Sequence, residues 1–410
     1  MRISLRGYII LFSSIYLLIL PIYTLSIYLF TLGISLLLIV LWSRSYVSKL
    51  SKELDLLTAQ RLIDKNRVSE GEETRVVVQI ENRGRGFFPR IMVVDGAPVE
   101  LPVVRGSSAA EFSLGENDSV EYEYFLRIDR LGRHDFKDLV LVASDPLRIF
   151  MISKTINQVS SVTAIPQKIS LSLIDRIRSI YPGVFFRGRS LGGLYDLWGF
   201  REYSPGDDVR RIYWKGYART GKILVREDIG ETRPRALIIL GLTKNSWGFG
   251  SGYNTYAEIL LRLFRSLSEH ILDSYGVLDA LICEGEIPRV ISDLSRGFRE
   301  RLYSVFDHVS FGGGCGSIGV LLMSLYRINL YSYDLVIVAT TPLDIIFSDP
   351  DDVVNYLRQY GVRIIFAIPL RDYDKEIGEG ITKSLSEKLS SAGSLLEVID
   401  KSFERIKGST

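Results

Sequence analysis

From Gly7 to Trp42 the chain carries no charged side chain, whereas Arg2 and Arg6 precede this run and Arg44, Lys49 and Lys52 follow it. An apolar stretch of that length must satisfy its own backbone hydrogen bonds away from water, so it reads as membrane-spanning helix. It is too long for one ordinary span of about 20 residues. Pro21 lies near its middle, where a missing amide donor favours a break. The expectation is a two-helix hairpin with spans over roughly 8–22 and 26–42, inside an anchor region of 1–52. A cleaved signal peptide would need a shorter apolar core and a small-residue cleavage site, and neither is present. Cations flank both ends of the run, so the positive-inside rule places both ends, and the body that follows, in the cytoplasm. A single tilted span of about 30 residues would instead put the body outside.

At 410 residues the chain has room for about two soluble domains beyond the anchor. Its 50 basic and 48 acidic residues leave a formal charge of +2, so no whole-molecule field drives it onto nucleic acid. Cys283 and Cys315 are its only cysteines, which implies no disulfide framework. A reducing compartment and buried, inert thiols fit that count.

Past the anchor, residues 53–167 show short alternating runs at 74–82, 89–96, 119–128 and 137–145, separated by turn formers. Period-two alternation means half-buried strands, and this spacing suits an immunoglobulin-like β-sandwich. His134 follows Arg133 in a turn-like stretch and, as a lone partly exposed histidine, reads as structural rather than as a ligand. From residue 235 to the end, continuous apolar strands at 236–240, 277–283, 334–340, 362–369 and 394–399 alternate with helical segments. Those helices are expected at 256–275, 317–330 and 353–360. The pattern implies a parallel sheet covered on both faces, a doubly wound α/β fold, with any ligand expected at the carboxyl ends of its strands.

Residues 168–234 join these two domains and contain the most distinctive stretch, Gly199 to Asp228. Ser204-Pro-Gly-Asp207 is a turn sequence, and Arg201, Arg210, Arg219 and Arg226 supply forks able to grip Asp207, Asp208 and Glu227. One reading is therefore an ionic clasp holding the segment together. The other is a recognition surface for an acidic partner or a nucleotide, anchored by Tyr203, Tyr213, Trp214 and Tyr217. Nucleic acid is disfavoured, because the interspersed carboxylates repel phosphate.

The residues Arg201-Glu-Tyr203, Pro205-Gly-Asp-Asp208, Arg210, Ile212, Trp214, Ala218-Arg219 and Val225-Arg-Glu227 resemble closely the hallmark of the membrane-anchored "domain of unknown function 58" family. The resemblance extends to the apolar hairpin and to a β-domain closing near Arg130-Leu-Gly-Arg133 and Asp145-Pro146. It implies a von Willebrand factor A-like C-terminal domain. It also implies a non-enzymatic adaptor, expected to work with a MoxR-type AAA+ ATPase and a transglutaminase-like membrane protein.

Von Willebrand A-like domains often hold a divalent cation through an Asp-x-Ser-x-Ser loop, a threonine after a Gly-Gly turn and a further aspartate. Here the corresponding loops read Gly241-Leu-Thr243-Lys-Asn245, Gly313-Gly314-Cys315 and Ala339-Thr340-Thr341, with no acid in the third until Asp344. Magnesium needs carboxylate oxygens to offset its dehydration, so the expectation is a degenerate site, a rim stripped of anionic oxygen, and no cofactor. Lys244 then becomes a candidate to fill the vacated cation position. The triple glycine at 312–314 lacks the Lys-Ser or Lys-Thr of a phosphate loop and reads as a turn. Two alternatives to the adaptor stand. One is a hydrolase using Asp207 and Asp208 with His134, His270 or His308, although nearby arginines make these acids poor proton donors. The other is a surface-exposed adhesive module, which requires inverted topology.

Overall fold

Helix is the only secondary structure that lets a lone apolar segment satisfy its own amides, and the N-terminal run forms three. They are α1 (Leu5–Ile19), α2 (Pro21–Thr24) and α3 (Ile27–Glu53), preceded by the two-residue strand β1 (Arg2–Ile3). Two stretches, Leu5–Thr24 and Ile27–Leu56, are long and apolar enough to cross a membrane, each with mean hydropathy 1.9. The run breaks before Pro21, as its missing amide donor favours: α1 ends at Ile19 and Pro21 takes the first position of α2, where that donor is not needed. α3 does not stop with the apolar run at Trp42. The charges of Arg44, Lys49 and Lys52 end the apolar stretch but leave the helix intact to Glu53. The computed structural model describes residues 1–24, 26–169, 188–204, 209–232, 235–273, 277–294, 299–347, 359, 362–369 and 395–399. The chain divides into two compact units, Met1–Ile165 and Pro166–Thr410, the first holding the hairpin and the β-strands after it.

In the first unit, β2 (Leu57–Ile63), β3 (Arg67–Ser69), β4 (Glu73–Asn82), β5 (Phe88–Gly96), β6 (Val103–Gly106) and β7 (Ala109–Leu114) follow α3. Then come β8 (Ser119–Arg127), β9 (Gly132–Asp135), β10 (Lys137–Ser144), β11 (Phe150–Ile156) and β12 (Ser161–Ile165). They form a five-stranded sheet in the order β1-β11-β10-β5-β7, a four-stranded sheet β2-β4-β8-β6 and a three-stranded sheet β3-β12-β9. Burial alternates along β4 and β5, as period two demands. The alternation also carries polar side chains inward. Arg61 and Asp95, both 0% exposed at the side chain, meet across two sheets, with Arg61 Nε 2.9 and 3.0 Å from the two carboxylate oxygens. Tyr124 Oη donates to Asp95 at 2.6 Å, Arg61 Nη2 donates to the Lys137 carbonyl at 2.7 Å, and the guanidinium lies 4.6 Å over the Phe136 ring. Every strong hydrogen-bonding group of this buried pair is thereby satisfied.

The hairpin is mounted on these sheets at both ends. Arg2 and Ile3 pair with Met151 and Phe150 of β11. Ser4 N donates to the Ile149 carbonyl at 2.9 Å, while the Ser4 hydroxyl caps α1 by accepting from Gly7 N at 3.0 Å. Gly7 is required by close approach, since a Cβ there would lie 2.6 Å from the Ile149 oxygen. This socket is shaped by Asp145, whose fully buried carboxylate accepts from Leu147 N and Phe150 N at 3.0 and 2.7 Å. At the far end of α3, Lys154 Nζ donates to the carbonyls of Leu54, Asp55 and Leu57 at 3.2, 3.0 and 2.9 Å, satisfying the helix terminus with a cation. Within the hairpin, Ser14 Oγ donates to the Gly33 carbonyl at 3.0 Å and fixes the register of α1 against α3.

His134 is buried rather than partly exposed, with Nε2 3.0 Å from the Arg130 carbonyl. Burial pushes its pKa down, so it is held as neutral imidazole.

The second unit contains β13 (Gly188–Glu202), α4 (Trp214–Thr220), β14 (Leu224–Thr232), β15 (Arg235–Leu240), β16 (Gly250–Ser251), β17 (Asn254–Thr255) and α5 (Tyr256–Asp273). It continues with β18 (Val277–Glu284), β19 (Ile287–Leu294), α6 (Arg299–Tyr303), α7 (Ile318–Ser324), β20 (Leu335–Ala339), α8 (Pro342–Phe347), β21 (Arg363–Pro369) and β22 (Leu395–Ile399). Its six-stranded sheet runs β19-β18-β15-β20-β21-β22 and is parallel except at the edge, where β19 is antiparallel to β18. That edge strand went unforeseen because Pro288, Arg289 and Asp293 interrupt its apolar pattern. The apolar strands fall where continuous hydrophobicity placed them, whereas the expected helix over 317–330 resolves into α7 followed by 3₁₀ turns. The expected helix over 353–360 lies outside the described residues, apart from residue 359. α5 begins with Thr255 and Glu258 in reciprocal capping, Glu258 Oε2 accepting from Thr255 N at 2.9 Å.

Candidate functional site

Two regions of the second unit carry the candidate residues. The first is the β13–β14 hairpin and the excursion between its strands. Tyr203 N donates to the Ile223 carbonyl and Tyr213 N to the Leu224 carbonyl, at 2.9 and 2.8 Å, so the excursion is closed at its base. α4 lies inside it and stops where Gly221 adopts φ +66°, with Gly221 N donating to the Tyr217 carbonyl at 2.9 Å. Tyr213 stacks on Phe200 with ring centroids 4.4 Å apart and leans over the buried Gly216, leaving no room for a side chain there.

What this scaffold presents outward is apolar. Trp214 is 60% exposed and Val209 58%, with Tyr217, Ile223 and Phe200 also exposed. Trp214 and Tyr217 meet edge to face at 6.4 Å. A cluster of large exposed side chains is costly to leave in water and marks a contact surface. Lys215, Arg219, Arg201 and Arg210 are exposed around it, and Lys222 pairs with Glu202 at 2.5 Å. The hydrogen bond from Lys222 holds the Glu202 carboxyl below its usual range.

Of the expected clasp, Arg201, Tyr203, Arg210, Trp214 and Arg219 are placed on this excursion. Arg226 is placed as backbone, opposite Phe200 in the β13–β14 ladder. Asp207 and Asp208 lie outside the described residues, so the carboxylate half of the clasp is not described.

The second region is the carboxyl rim of the six-stranded sheet. Gly241, which the resemblance sets where a cation-binding loop would have its aspartate, is a glycine for a packing reason. A Cβ at 241 would lie 2.5 Å from Ile318 Cδ1 and 2.8 Å from Thr340 Oγ1. Thr243 is buried, and its hydroxyl donates to Asp344, 3.2 and 3.4 Å from the carboxylate oxygens. Thr341 Oγ1 donates to Asp344 Oδ2 at 2.5 Å and accepts from Asp344 N at 3.2 Å, capping α8. The rim is therefore not stripped of anionic oxygen. Asp344, passed over because it stands beyond the third loop's own sequence, is returned to the rim by the first turn of α8.

Burial pushes the Asp344 carboxyl up from its usual range, and hydrogen bonds from Thr341 and Thr243 offset part of that rise. The folded pKa lies above the unfolded one, so the native chain keeps its proton to higher pH. Stability from this group consequently falls as pH rises from about 4 through the raised value. The Asp344→Asn variant is expected to gain stability relative to wild type between about pH 4 and pH 7. Thermal unfolding across that window checks this, and a constant difference would show that the carboxyl titrates normally.

Cys315 and Cys283 form a disulfide with Cα atoms 5.6 Å apart, correcting the expectation of two inert thiols. Lys244 does find a carboxylate, Glu286, but both side chains are exposed rather than filling a cation position. Asn245 is exposed and Thr340 buried. Gly312 and Gly314 have φ +72° and +145°, and a Cβ on Gly314 would lie 2.7 Å from the Leu242 oxygen, so the triple glycine is a turn under close approach. Trp247 Nε1 pins it by donating to the Gly313 carbonyl at 2.6 Å. His308 Nδ1 lies 2.8 Å from Glu284 Oε1, and Arg289 Nη1 grips the other oxygen, Oε2, of the same carboxylate. Among the described residues no group of three or more His, Cys, Asp or Glu side chains could hold a metal ion.

The family described as "Protein of unknown function DUF58" matches residues 199–274, a segment holding the aromatic excursion, β15 and α5. No curated protein matches the chain. Among solved structures it is similar to the C-terminal domain of wzt at 8% identity and TM-score 0.20, over 27% of this chain and 75% of that one. It is similar to the Pseudomonas fluorescens alkylpurine DNA glycosylase AlkC at 12% identity and TM-score 0.16, over 25% of this chain and 31% of that one. It is similar also to the Bacillus subtilis sporulation control protein Spo0M at 9% identity and TM-score 0.17, over 33% of this chain and 58% of that one. The chain thus spans less than two thirds of the last two, and scores this low carry no argument about fold or function.

Proposed function

We propose that this protein is a membrane-anchored, non-enzymatic adaptor whose second unit docks a protein partner through the aromatic excursion between β13 and β14. The observation that carries this is the exposure of Trp214 and Tyr217, ringed by cations, inside the segment matched by the family. Trp, Tyr and Arg dominate the energetics of protein interfaces, and here they stand together on a short helix closed at its base. Lys215 and Arg219, exposed beside the aromatic pair, favour a partner whose docking face carries acidic groups. The resemblance to the "domain of unknown function 58" family names a MoxR-type AAA+ ATPase as the candidate, with a transglutaminase-like membrane protein beside it. In this reading the β-strands of the first unit are an immunoglobulin-like sandwich. The six-stranded sheet with its one antiparallel edge is a von Willebrand A-like domain that has exchanged its cation loop for a packed glycine. Cations flanking both ends of the hairpin favour a body in the cytoplasm.

The full chain in detergent, immobilised and exposed to such an ATPase, is expected to bind it. The Trp214→Ala, Tyr217→Ala double variant is expected to lose affinity by a hundredfold or more, at roughly 2 kcal/mol or more per hot-spot residue. Equal binding by both would remove the excursion as the docking surface. A second reading, an outward-facing adhesive module, is favoured by one observation, the Cys283–Cys315 disulfide, because such bonds persist in oxidising compartments. Protease access to the body in intact cells separates the two.

A further inference from the structure

Beyond the last membrane turn, α3 is two-faced. Ser43, Val47 and Leu50 are buried, while Arg44, Ser45, Ser48, Lys49 and Lys52 form an exposed stripe on another face. This stripe lines an open groove of about 620 Å³, with Leu41 at one end and Glu53 at the other. Glu53 is already engaged, accepting from Gly86 N at 3.2 Å, so its charge is partly spent on the backbone.

The three cations of the stripe differ from the arginines of the β-sheets. Arg75, Arg83, Arg90, Arg105, Arg133 and Arg148 each lie against a carboxylate. Among the described residues, no ion pair involves Arg44, Lys49 or Lys52, nor Arg2 or Arg6. A mixed-charge surface pairs its cations readily, so a stripe left unpaired and furnished with two hydroxyls is arranged for an external anion.

Helix geometry places that anion. The Ser14–Gly33 contact sets the antiparallel register of α1 and α3. At 1.5 Å rise per residue, Arg6 and Leu41 then stand at about the same height, each about 12 Å from that contact. Arg44 follows within a turn of Leu41, and Lys49 and Lys52 lie one to two turns farther out. Apolar side chain gives way to cation and hydroxyl at the depth where an acyl chain gives way to its phosphate.

We infer that the groove along α3 is a binding site for the headgroup of an anionic phospholipid. Arg44, Lys49 and Lys52 hold the phosphate and any further headgroup charge, Ser45 and Ser48 donate to its oxygens, and Leu41 meets the first methylenes of the acyl chain. Juxtamembrane cations attract anionic lipid, and here they are borne on a helix fixed to the β-sheets rather than on a loose tail. The lipid thereby becomes a wall of the first unit. The inference rests on the hairpin being membrane-embedded, but not on the choice of protein partner.

The test uses the full chain in nanodiscs of phosphatidylcholine containing a minor fraction of phosphatidylglycerol, with co-purified lipid read by native mass spectrometry after gentle release. Wild type is expected to retain phosphatidylglycerol over phosphatidylcholine. The Arg44→Gln, Lys49→Gln, Lys52→Gln variant is expected to lose that preference by on the order of a hundredfold. A control removing three exposed cations elsewhere in the first unit, Lys65→Gln, Arg85→Gln, Lys137→Gln, is expected to keep it. Free glycerophosphate in excess should not displace the lipid; displacement would mark a soluble-anion site and overturn the assignment. Equal retention by the groove variant, or equal loss in the control, would also overturn it. Recovery of the chain from cells without detergent would instead remove the membrane reading on which the inference stands. All three substituted groove side chains are exposed, and an unchanged melting temperature would confirm that the variant is folded.

Discussion

Replacing Asp95 by alanine should unfold the first unit at a markedly lower temperature than any surface substitution in it. The change strands Arg61, whose side chain is fully buried, and removes the acceptor for Tyr124 Oη. Burial first, and the Asp95 charge second, push the Tyr124 pKa up, so the phenol stays a donor and needs that acceptor. Breaking a buried ion pair from one side costs about 3–5 kcal/mol, because the remaining charge keeps its desolvation cost and loses its partner. For a unit of this size that corresponds to roughly 6–20 °C in melting temperature, read by thermal unfolding of the detergent-solubilised chain. Exchanging both partners for apolar residues, Arg61→Met with Asp95→Leu, should recover most of the loss. Glu111→Gln, which breaks exposed pairs with Arg90 and Arg148, should cost less than about 1 kcal/mol. A single Asp95→Ala variant as stable as wild type would mean that water reaches Arg61 and that the pair is not a buried clasp.

This pair was open to discovery in the sequence. Leu57, Ala59 and Arg61 share one register of β2, and Ile91, Val93 and Asp95 share one register of β5. A charged residue standing in an inward apolar row is a signal in itself, but it identifies no partner, because the contact joins positions 34 residues apart on different sheets. The apolar helical hairpin was legible for a simpler reason: the absence of charge over so long a run admits few structures. Its mounting was not. Gly7 and Lys154 acquire their roles through backbone groups 97 or more residues distant, and Ser4, which caps α1 locally, is also tied to the distant Ile149 carbonyl.

The rim of the second unit shows the same division. Continuous apolar strands announced a parallel sheet, and its loops could be located at the strand ends. That Asp344 would return to Thr243 could not be read locally, since the two are 101 residues apart and only the turn into α8 aims the carboxylate inward. The edge strand β19 was missed because an exposed edge needs no continuous apolar face. In the aromatic excursion the sequence supplied the residue types. It could not say which of them would face solvent, and the exposure of Trp214 is the observation the docking proposal rests on.

The disulfide gives the second large effect. Reduction of the folded chain should lower the melting temperature of the second unit by about 8–15 °C. The bond closes a loop of 32 residues between the end of β18 and the rim, and it sits among the buried apolar residues beneath the triple-glycine turn. Cross-linking a loop of that length removes chain entropy from the unfolded state worth about 4 kcal/mol. Thiol titration in denaturant should find no free thiol per chain before reduction and two after it, and the Cys283→Ser, Cys315→Ser variant should melt with the reduced protein. Two free thiols in protein taken directly from cells, with no change on adding reductant, would return both cysteines to the status of packed core residues. A chain isolated oxidised would bear on topology as well. A cytoplasmic body would then have to keep the bond against the reducing poise of its compartment, which demands burial, and both sulfur-bearing residues are buried. The same sites that make the bond slow to reduce in the native state thus allow the adaptor reading and the disulfide to hold together. Protection of the bond in folded protein under glutathione, and its loss on unfolding, is the behaviour that reading requires.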